Sequence, residues 1–146
     1  MSAIEQIRLP LPGIEELRRE AHEEGFQFLE TLFEEWVSGV NRFNAPGEVL
    51  CGAMEAGLVV AVGGLNCDPF AGRPDVGRIR RVYVRPGWRG LGIGQALVEA
   101  LIEHARGNFR VVRLRAENSG AARLYERLGF SRCQDPDATH VLALEL

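Results

Sequence analysis

The sequence predicts an α+β domain built on a mixed central sheet with about four flanking helices. Three observations predict it. β-rich runs and amphipathic helical runs alternate from one end of the chain to the other, and prolines and glycines punctuate them at the points of change. At 146 residues, with 46% hydrophobic and 25% charged side chains, the chain suits one domain over residues 1–146, with a real core.

Ile4–Leu9 reads as a first strand, closed by the break at Pro10, Pro12 and Gly13. Helical spacing then runs from Ile14 to Val37, and Gly25 divides it into two helices. Ile14, Leu17 and Ala21 mark the apolar face of the first. Phe26, Leu29, Phe33 and Trp36 or Val37 mark that of the second, as core more than as a ligand wall. A turn at 44–47 precedes two β-rich runs, Val49–Met54 and Leu58–Leu65, joined as a hairpin at Glu55–Gly57. Asp68–Asp75 is a surface loop, Val76–Val84 a strand stopped by Pro86, and Gly92–Arg106 an amphipathic helix. Phe109–Leu114 is a strand and Ser119–Leu128 a short helix, with Asn118 or Ser119 as its cap and Gly129 at its end. Phe130–Cys133 and Thr139–Leu144 pair around the turn at 135–137. The order is β-α-α-β-β-β-α-β-α-β-β, which is an α+β sheet domain.

All 17 basic side chains are arginines, against 20 acids, for a net charge of −3. The absence of lysine removes a Walker-type phosphate loop and Schiff-base chemistry. Cys51, Cys67 and Cys133 are odd in number and form no CxxC pair, so reduced thiols are expected and no metal site. The start of the chain has no signal-peptide pattern, and the longest apolar run, residues 57–65, is too short to span a bilayer; a cytoplasmic protein without a membrane partner is expected. Charge is segregated: residues 15–35 carry a net −6, residues 73–89 a net +5 and residues 106–132 a net +5. Such runs are usually solvated faces, and otherwise face an oppositely charged ligand.

Two stretches carry chemistry. In the first, a strand ending at Val82-Tyr83-Val84 leads through Arg89-Gly90-Leu91-Gly92-Ile93-Gly94 into a helix. Glycines let the backbone approach a ligand closely, and the N–H groups of a first helical turn attract anions, so this is a cradle for a pyrophosphate. Arg89 adds a charge-assisted contact. The glycine spacing misses the dinucleotide fingerprint by one position, and no acidic residue follows where that fold needs it. In the second stretch Asn118 follows a strand and Tyr125 sits two turns into the next helix. A phenol there can give a proton to a departing thiolate if neighbouring strands splay, although blind odds favour a core aromatic and a helix cap.

Arg89-Gly-Leu-Gly-Ile-Gly94 resembles the Q/R-x-x-G-x-G/A signature of the general-control-related N-acetyltransferases, the GNAT superfamily, and Val82-Tyr-Val-Arg-Pro resembles the strand before it. Asn118-x-x-Ala-x-x-Leu-Tyr125-Glu-x-x-Gly-Phe130 resembles the downstream motif. The resemblance implies a mixed, splayed sheet holding acetyl-CoA, with no metal, in the wedge between its fourth and fifth strands. It implies that the backbone of Arg89, Gly90, Leu91, Gly92, Ile93 and Gly94 binds the pyrophosphate. The backbone of Val82, Tyr83 and Val84 would run along the pantetheine, Asn118 would bond it, and Tyr125 would protonate the coenzyme thiolate. An amine of a small molecule or peptide would attack directly in a ternary complex.

The general base is the departure from the pattern. Where many relatives carry a glutamate early in the fourth strand, this chain has Arg78. Glu55, Asp68, Asp75, Glu117 and His140 remain as weak candidates, with Glu117 and His140 carried furthest, beside a water relay. The resemblance places the acceptor cleft against residues 14–43 and 66–77. Arg78 and Arg80, if they line it, favour an acceptor that carries a carboxylate. The competing readings are an idle acyl-CoA-binding domain that lost its base and an aminoacyl-tRNA-acetylating toxin. The net charge of −3 argues against a nucleic-acid partner, and the family resemblance allows a homodimer.

Overall fold

Seven strands and four helices follow one another in the computed structural model, which describes residues 3–144. They are β1 (Ala3–Gln6), α1 (Ile14–Glu23), α2 (Phe28–Ser38), β2 (Val49–Glu55), β3 (Leu58–Cys67) and β4 (Val76–Val84). After them come α3 (Ile93–Ala105), β5 (Val111–Leu114), α4 (Ser119–Arg127), β6 (Ser131–Asp135) and β7 (Ala138–Ala143). The strands form one sheet in the order β1-β2-β3-β4-β5-β7-β6, in which β4–β5 is the parallel pair and the other neighbours are antiparallel. This is the mixed, helix-flanked sheet that the sequence predicts.

Each face of the sheet has its own core. On one side α3 lays Leu97, Val98, Leu101 and Ile102 against Val60, Ala61, Leu65 and Ile79. On the other, Leu17 of α1 and Leu29 and Leu32 of α2 cover Val59, Val62 and Tyr83. β3 is therefore buried on both faces, which is why its sequence is an unbroken apolar run instead of an alternation. Each fully buried aliphatic side chain contributes about 1.5–3 kcal/mol, so the two cores hold the helices to the sheet.

Some boundaries differ from expectation. β1 ends at Gln6, although Ile7 N–H still donates to Leu50 O at 2.9 Å, because the chain turns there to sink Ile7 and Leu9 into the core. β5 begins at Val111, and Phe109 is buried as a core residue ahead of it. Of the two residues offered for the face of the second helix, Trp36 packs on the core and Val37 is 79% exposed.

The segregated charges face one another. Glu16 and Glu20 of α1 reach Arg85, Glu24 grips Arg89, and Glu35 of α2 meets Arg81 at 3.1 Å. Glu16, Glu20, Glu24 and Glu35 thus form a seam with the basic β4 segment and the loop after it, while Glu15 and Glu23 stay largely exposed.

A second charged cluster joins the strands. Arg78 and Arg113 stand opposite each other on the last β4–β5 rung, and both guanidinium groups reach Asp68 Oδ2, at 3.4 and 3.0 Å. Burial alone would raise the Asp68 carboxyl. Hydrogen bonds from Arg113 and the Phe70 N–H, with the charges of Arg113 and Arg78, outweigh it and hold the group below the usual range. Arg78 also donates to Asp137 O at 2.7 Å and Arg113 to Asp135 at 3.0 Å, which ties the β6–β7 turn to the same point.

Removing the Asp68 charge would leave two largely buried guanidinium groups facing each other. Asp68→Asn is expected to lose about 3 kcal/mol in urea unfolding at neutral pH. A carboxyl with a lowered folded value stabilises above its unfolded value, near about 4, and that contribution disappears as pH falls through the folded value. The gap between wild type and Asp68→Asn should therefore narrow in strong acid; a gap independent of pH would contradict this assignment.

Candidate functional site

Beyond the rung at Arg78 and Arg113 the two parallel strands part. β5 stays with β7 up to Leu114↔His140, while Ile79–Val84 of β4 continue without a ladder partner on that side. Backbone groups along that stretch are left to bond whatever enters the gap.

A bulge sits in the same stretch. Val62 faces Tyr83 and Gly64 faces Arg80, so Arg81 and Val82 together oppose Gly63. Arg81 takes φ 62°, a left-handed conformation that costs a non-glycine residue about 1–2 kcal/mol. The extra residue resets the side-chain alternation. Val82 and Val84 turn to the α3 core, Tyr83 turns to the α1/α2 core, and Arg81 reaches across to α2. The sequence carried a signal for this: apolar Ile79, Val82 and Val84 are spaced three then two in a strand of period two.

Past Val84 the chain makes a short 3-10 turn at Pro86–Trp88 and enters α3 through Gly90 and Gly92, at φ 79° and 81°. A Cβ at either glycine would meet nothing within 4 Å, so conformation, not crowding, selects glycine there. No side chain caps α3 at Gly92, so the amides of its first turn stay available to an anion. The Arg89 guanidinium is spent otherwise. It holds both carboxylate oxygens of Glu24, at 2.9 and 2.6 Å, donates to Val84 O at 3.0 Å, and lies over the Tyr83 ring. The Tyr83 hydroxyl donates to the same Glu24. Arg89 thus anchors the loop to the end of α1, and sequence reasoning had no local signal for a partner 65 residues away.

Tyr125 projects from α4 to the mouth of the gap. Its ring lies against Phe130 edge to face and near His140, with centroids 5.8 and 6.5 Å away. The residue is 6% exposed, and burial, reinforced by the charge of Glu117, pushes the phenol up to about 12. Asn118 Oδ1 accepts from Ala121 N–H at 2.9 Å as the cap of α4, which leaves its amide group as the donor available to a ligand.

Ile79–Val82, Tyr125 and three neighbouring segments enclose a cleft of about 200 Å³. Phe28 of α2 and Phe70 of the β3–β4 loop form its apolar walls; Arg78, Arg80, Arg81, Arg115 and Glu117 give it charge. Glu117 is the carboxylate among these lining residues. His140 is buried behind Tyr125, with Nε2 2.8 Å from Glu126 and Nδ1 2.8 Å from Thr139 Oγ1, and it does not line the cleft. Asp68 and Asp75 are engaged by arginines, and Glu55 sits at the β2–β3 turn. Among the described residues no group of three or more His, Cys, Asp or Glu is placed to hold a metal ion, and no helix is long and apolar enough to cross a membrane.

Comparison with known proteins bears on the family and the fold. The model of the acetyltransferase (GNAT) family matches residues 11–130. The crystal structure of a candidate acetyltransferase from Exiguobacterium sp. 255-15 superposes with a TM-score of 0.88 at 29% identity, over 98% of this chain and 93% of that one. A candidate acetyltransferase of Salmonella typhimurium, solved with its cofactor acetyl-CoA, shares the fold at a TM-score of 0.69 and 15% identity, over 100% and 95% of the two chains. The N-alpha-acetyltransferase RimI of Mycobacterium tuberculosis is 31% identical over 90 residues, 60% of this chain and 55% of its own length. The chain spans about a quarter to about half of the curated relatives it matches, 26% and 55%.

The buried phenols give a direct test. Unfolded tyrosines titrate near about 10, whereas Tyr125 should ionise at about 12 in the native protein, and burial together with Glu24 raises Tyr83 as well. Ultraviolet titration should show no phenolate near pH 10 until the chain is unfolded, and Tyr125→Phe should remove the native step at about 12. Because the unfolded phenols ionise first, stability should fall as pH rises between those values. A native step at the ordinary value would contradict the burial of Tyr125.

Proposed function

The chain belongs to the acetyltransferase (GNAT) family, and from that premise we propose that it is an N-acetyltransferase that moves the acetyl group of acetyl-CoA directly to a primary amine. The observation that carries this reading is the parting of β4 from β5, with the Tyr125 phenol lining its mouth and an uncapped helix start at its far end.

In this reading the pyrophosphate lies on the backbone of residues 89–94 and the N-terminus of α3. The pantetheine, a chain with amide groups, occupies the gap and pairs with the free edge of β4 at Val82–Val84, while the Asn118 amide donates to it. The bulge at Arg81 turns a backbone N–H out of the ladder toward the thioester carbonyl, where it stabilises the oxyanion. The amine nitrogen attacks that carbonyl carbon and the C–S bond breaks. The leaving sulfur takes the Tyr125 proton. The transfer leaves the negative charge on the Tyr125 oxygen, and the proton that the amine gives up returns there, directly or along water, to reset the site. Glu117, the carboxylate at the cleft, takes that proton from the amine on its way. Arg78 cannot take this role, and its guanidinium is committed to Asp68.

Incubation with acetyl-CoA and a panel of primary amines should release free thiol. Tyr125→Phe should keep acetyl-CoA binding and lower kcat by roughly a hundredfold to ten-thousandfold. Glu117→Gln should slow transfer at neutral pH and recover where the amine is itself unprotonated. With no lysine in the chain, direct transfer leaves no side-chain acetyl group by mass spectrometry; a stable label there would establish an acyl-enzyme instead. Coenzyme binding without thiol release across the panel would support the idle binding domain.

A further inference from the structure

The cleft is unbalanced in charge. Arg78, Arg80, Arg81 and Arg115 all line it, against the one carboxylate of Glu117. Three of the four arginines have partners within the protein: Arg78 holds Asp68 and Asp137 O, Arg81 holds Glu35, and Arg115 donates to Pro136 O. Arg80 is the exception among the described residues: no group accepts from its guanidinium, and its Nε, like that of Arg81, is buried without a hydrogen-bond partner. Burial and the neighbouring charges of Arg81 and Arg78 lower it to about 10 against the attraction of Glu35 and Asp68, so at neutral pH it remains a cation with no described carboxylate in direct contact. A half-buried charge without a direct partner costs a folded protein stability that a bound anion would restore.

Acetyl-CoA does not supply that partner. Its phosphates belong at the α3 end of the gap, and the portion that reaches Tyr125, the thioester and the pantetheine arm, is neutral. The missing anion therefore arrives with the group that enters from the α2 side, between Phe28 and Phe70. Resting on the acetyltransferase reading above, we infer that the acceptor is a small amino acid-like amine carrying its own carboxylate, and that Arg80 binds this carboxylate in forked geometry beside the attacking nitrogen. Arginine suits the role because its planar fork matches a carboxylate. A cleft of about 200 Å³ holds a group of amino-acid size. The same field repels polyamines and other dications.

The test compares thiol release from acetyl-CoA with α-amino acids and with the matching amino-acid amides. The carboxylate forms should be preferred by about tenfold or more in kcat/KM. Arg80→Gln should raise their KM by about ten- to a hundredfold, the cost of a lost charge-assisted contact, and leave the amides unchanged. The variant loses an unpaired charge, so its Tm should equal or exceed that of the wild type, which verifies folding. Equal use of amides, preference for diamines, or an equal effect of Arg80→Gln on both series would overturn the inference and leave the acetyltransferase reading intact. A succinyl-CoA arm separates the two sources of a carboxylate: preference for succinyl over acetyl transfer, abolished by Arg80→Gln, would assign the anion to the acyl group and overturn the acceptor assignment. If no amine is acetylated, calorimetry with N-acetyl amino acids and free CoA still decides. Binding to wild type and not to Arg80→Gln supports the carboxylate site, and equal or absent binding to both overturns it.

Discussion

Everything functional in this molecule lies beyond one carboxylate. Asp68 binds Arg78 and Arg113, which face each other across the last rung that β4 and β5 share. Two guanidinium groups in that position would repel, and Asp68 turns the repulsion into a junction that also gathers the β6–β7 turn. The sheet is held closed up to that rung and opens immediately after it. The opening leaves the β5-facing backbone groups of residues 79–84 outside the ladder in the middle of an otherwise paired sheet, a state that a folded protein keeps only where something else will bond them. Once the strands part, the end of β5 leads into α4 instead of continuing the ladder, and α4 carries Tyr125 to the gap.

The same junction accounts for the departure at Arg78. A position that could have carried a carboxylate into the cleft carries a guanidinium committed to structure, and the acid stands ten residues earlier, on the loop, fully enclosed. The proton-accepting role then passes to a residue outside β4. Arg80, two positions along on the same face, inherits the cationic character of the strand without inheriting a partner. The bulge at Arg81 completes the arrangement by giving α2 a second arginine to hold and returning Val82 and Val84 to the core.

Much of this was legible in the sequence because it rests on local pattern. Alternation, helical spacing and turn residues placed the strands and helices, and the glycines before Ile93 marked the loop whose positive φ values the structure displays at Gly90 and Gly92. What could not be read depends on long-range partners. Arg89 looked like a ligand for phosphate and is bound to Glu24; the acidic and basic runs looked like two surfaces and are one seam; His140 looked like a titratable candidate and is walled in behind Tyr125. In each case the residue type was correct for the expected chemistry, and the deciding fact was the identity of a neighbour 14 to 65 residues away. The bulge is intermediate: its spacing was present in Ile79, Val82 and Val84, and only pairing with Gly63 gave that spacing its meaning.

The seam between the acidic helices and β4 also has a chemical direction. Its cations are arginines, groups that ordinary alkali does not discharge, and its anions are carboxylates, which acid does. Arg89 holds Glu24 below the usual carboxylate range, as Arg18 holds Glu30 between the two helices, so moderate acid leaves these contacts intact. The helical layer over the cleft is therefore fastened asymmetrically. Increasing alkalinity reaches the tyrosines without loosening the ion pairs, whereas strong acid discharges the ties of α1 to Arg85 and Arg89 and leaves its apolar face as what holds it to the sheet.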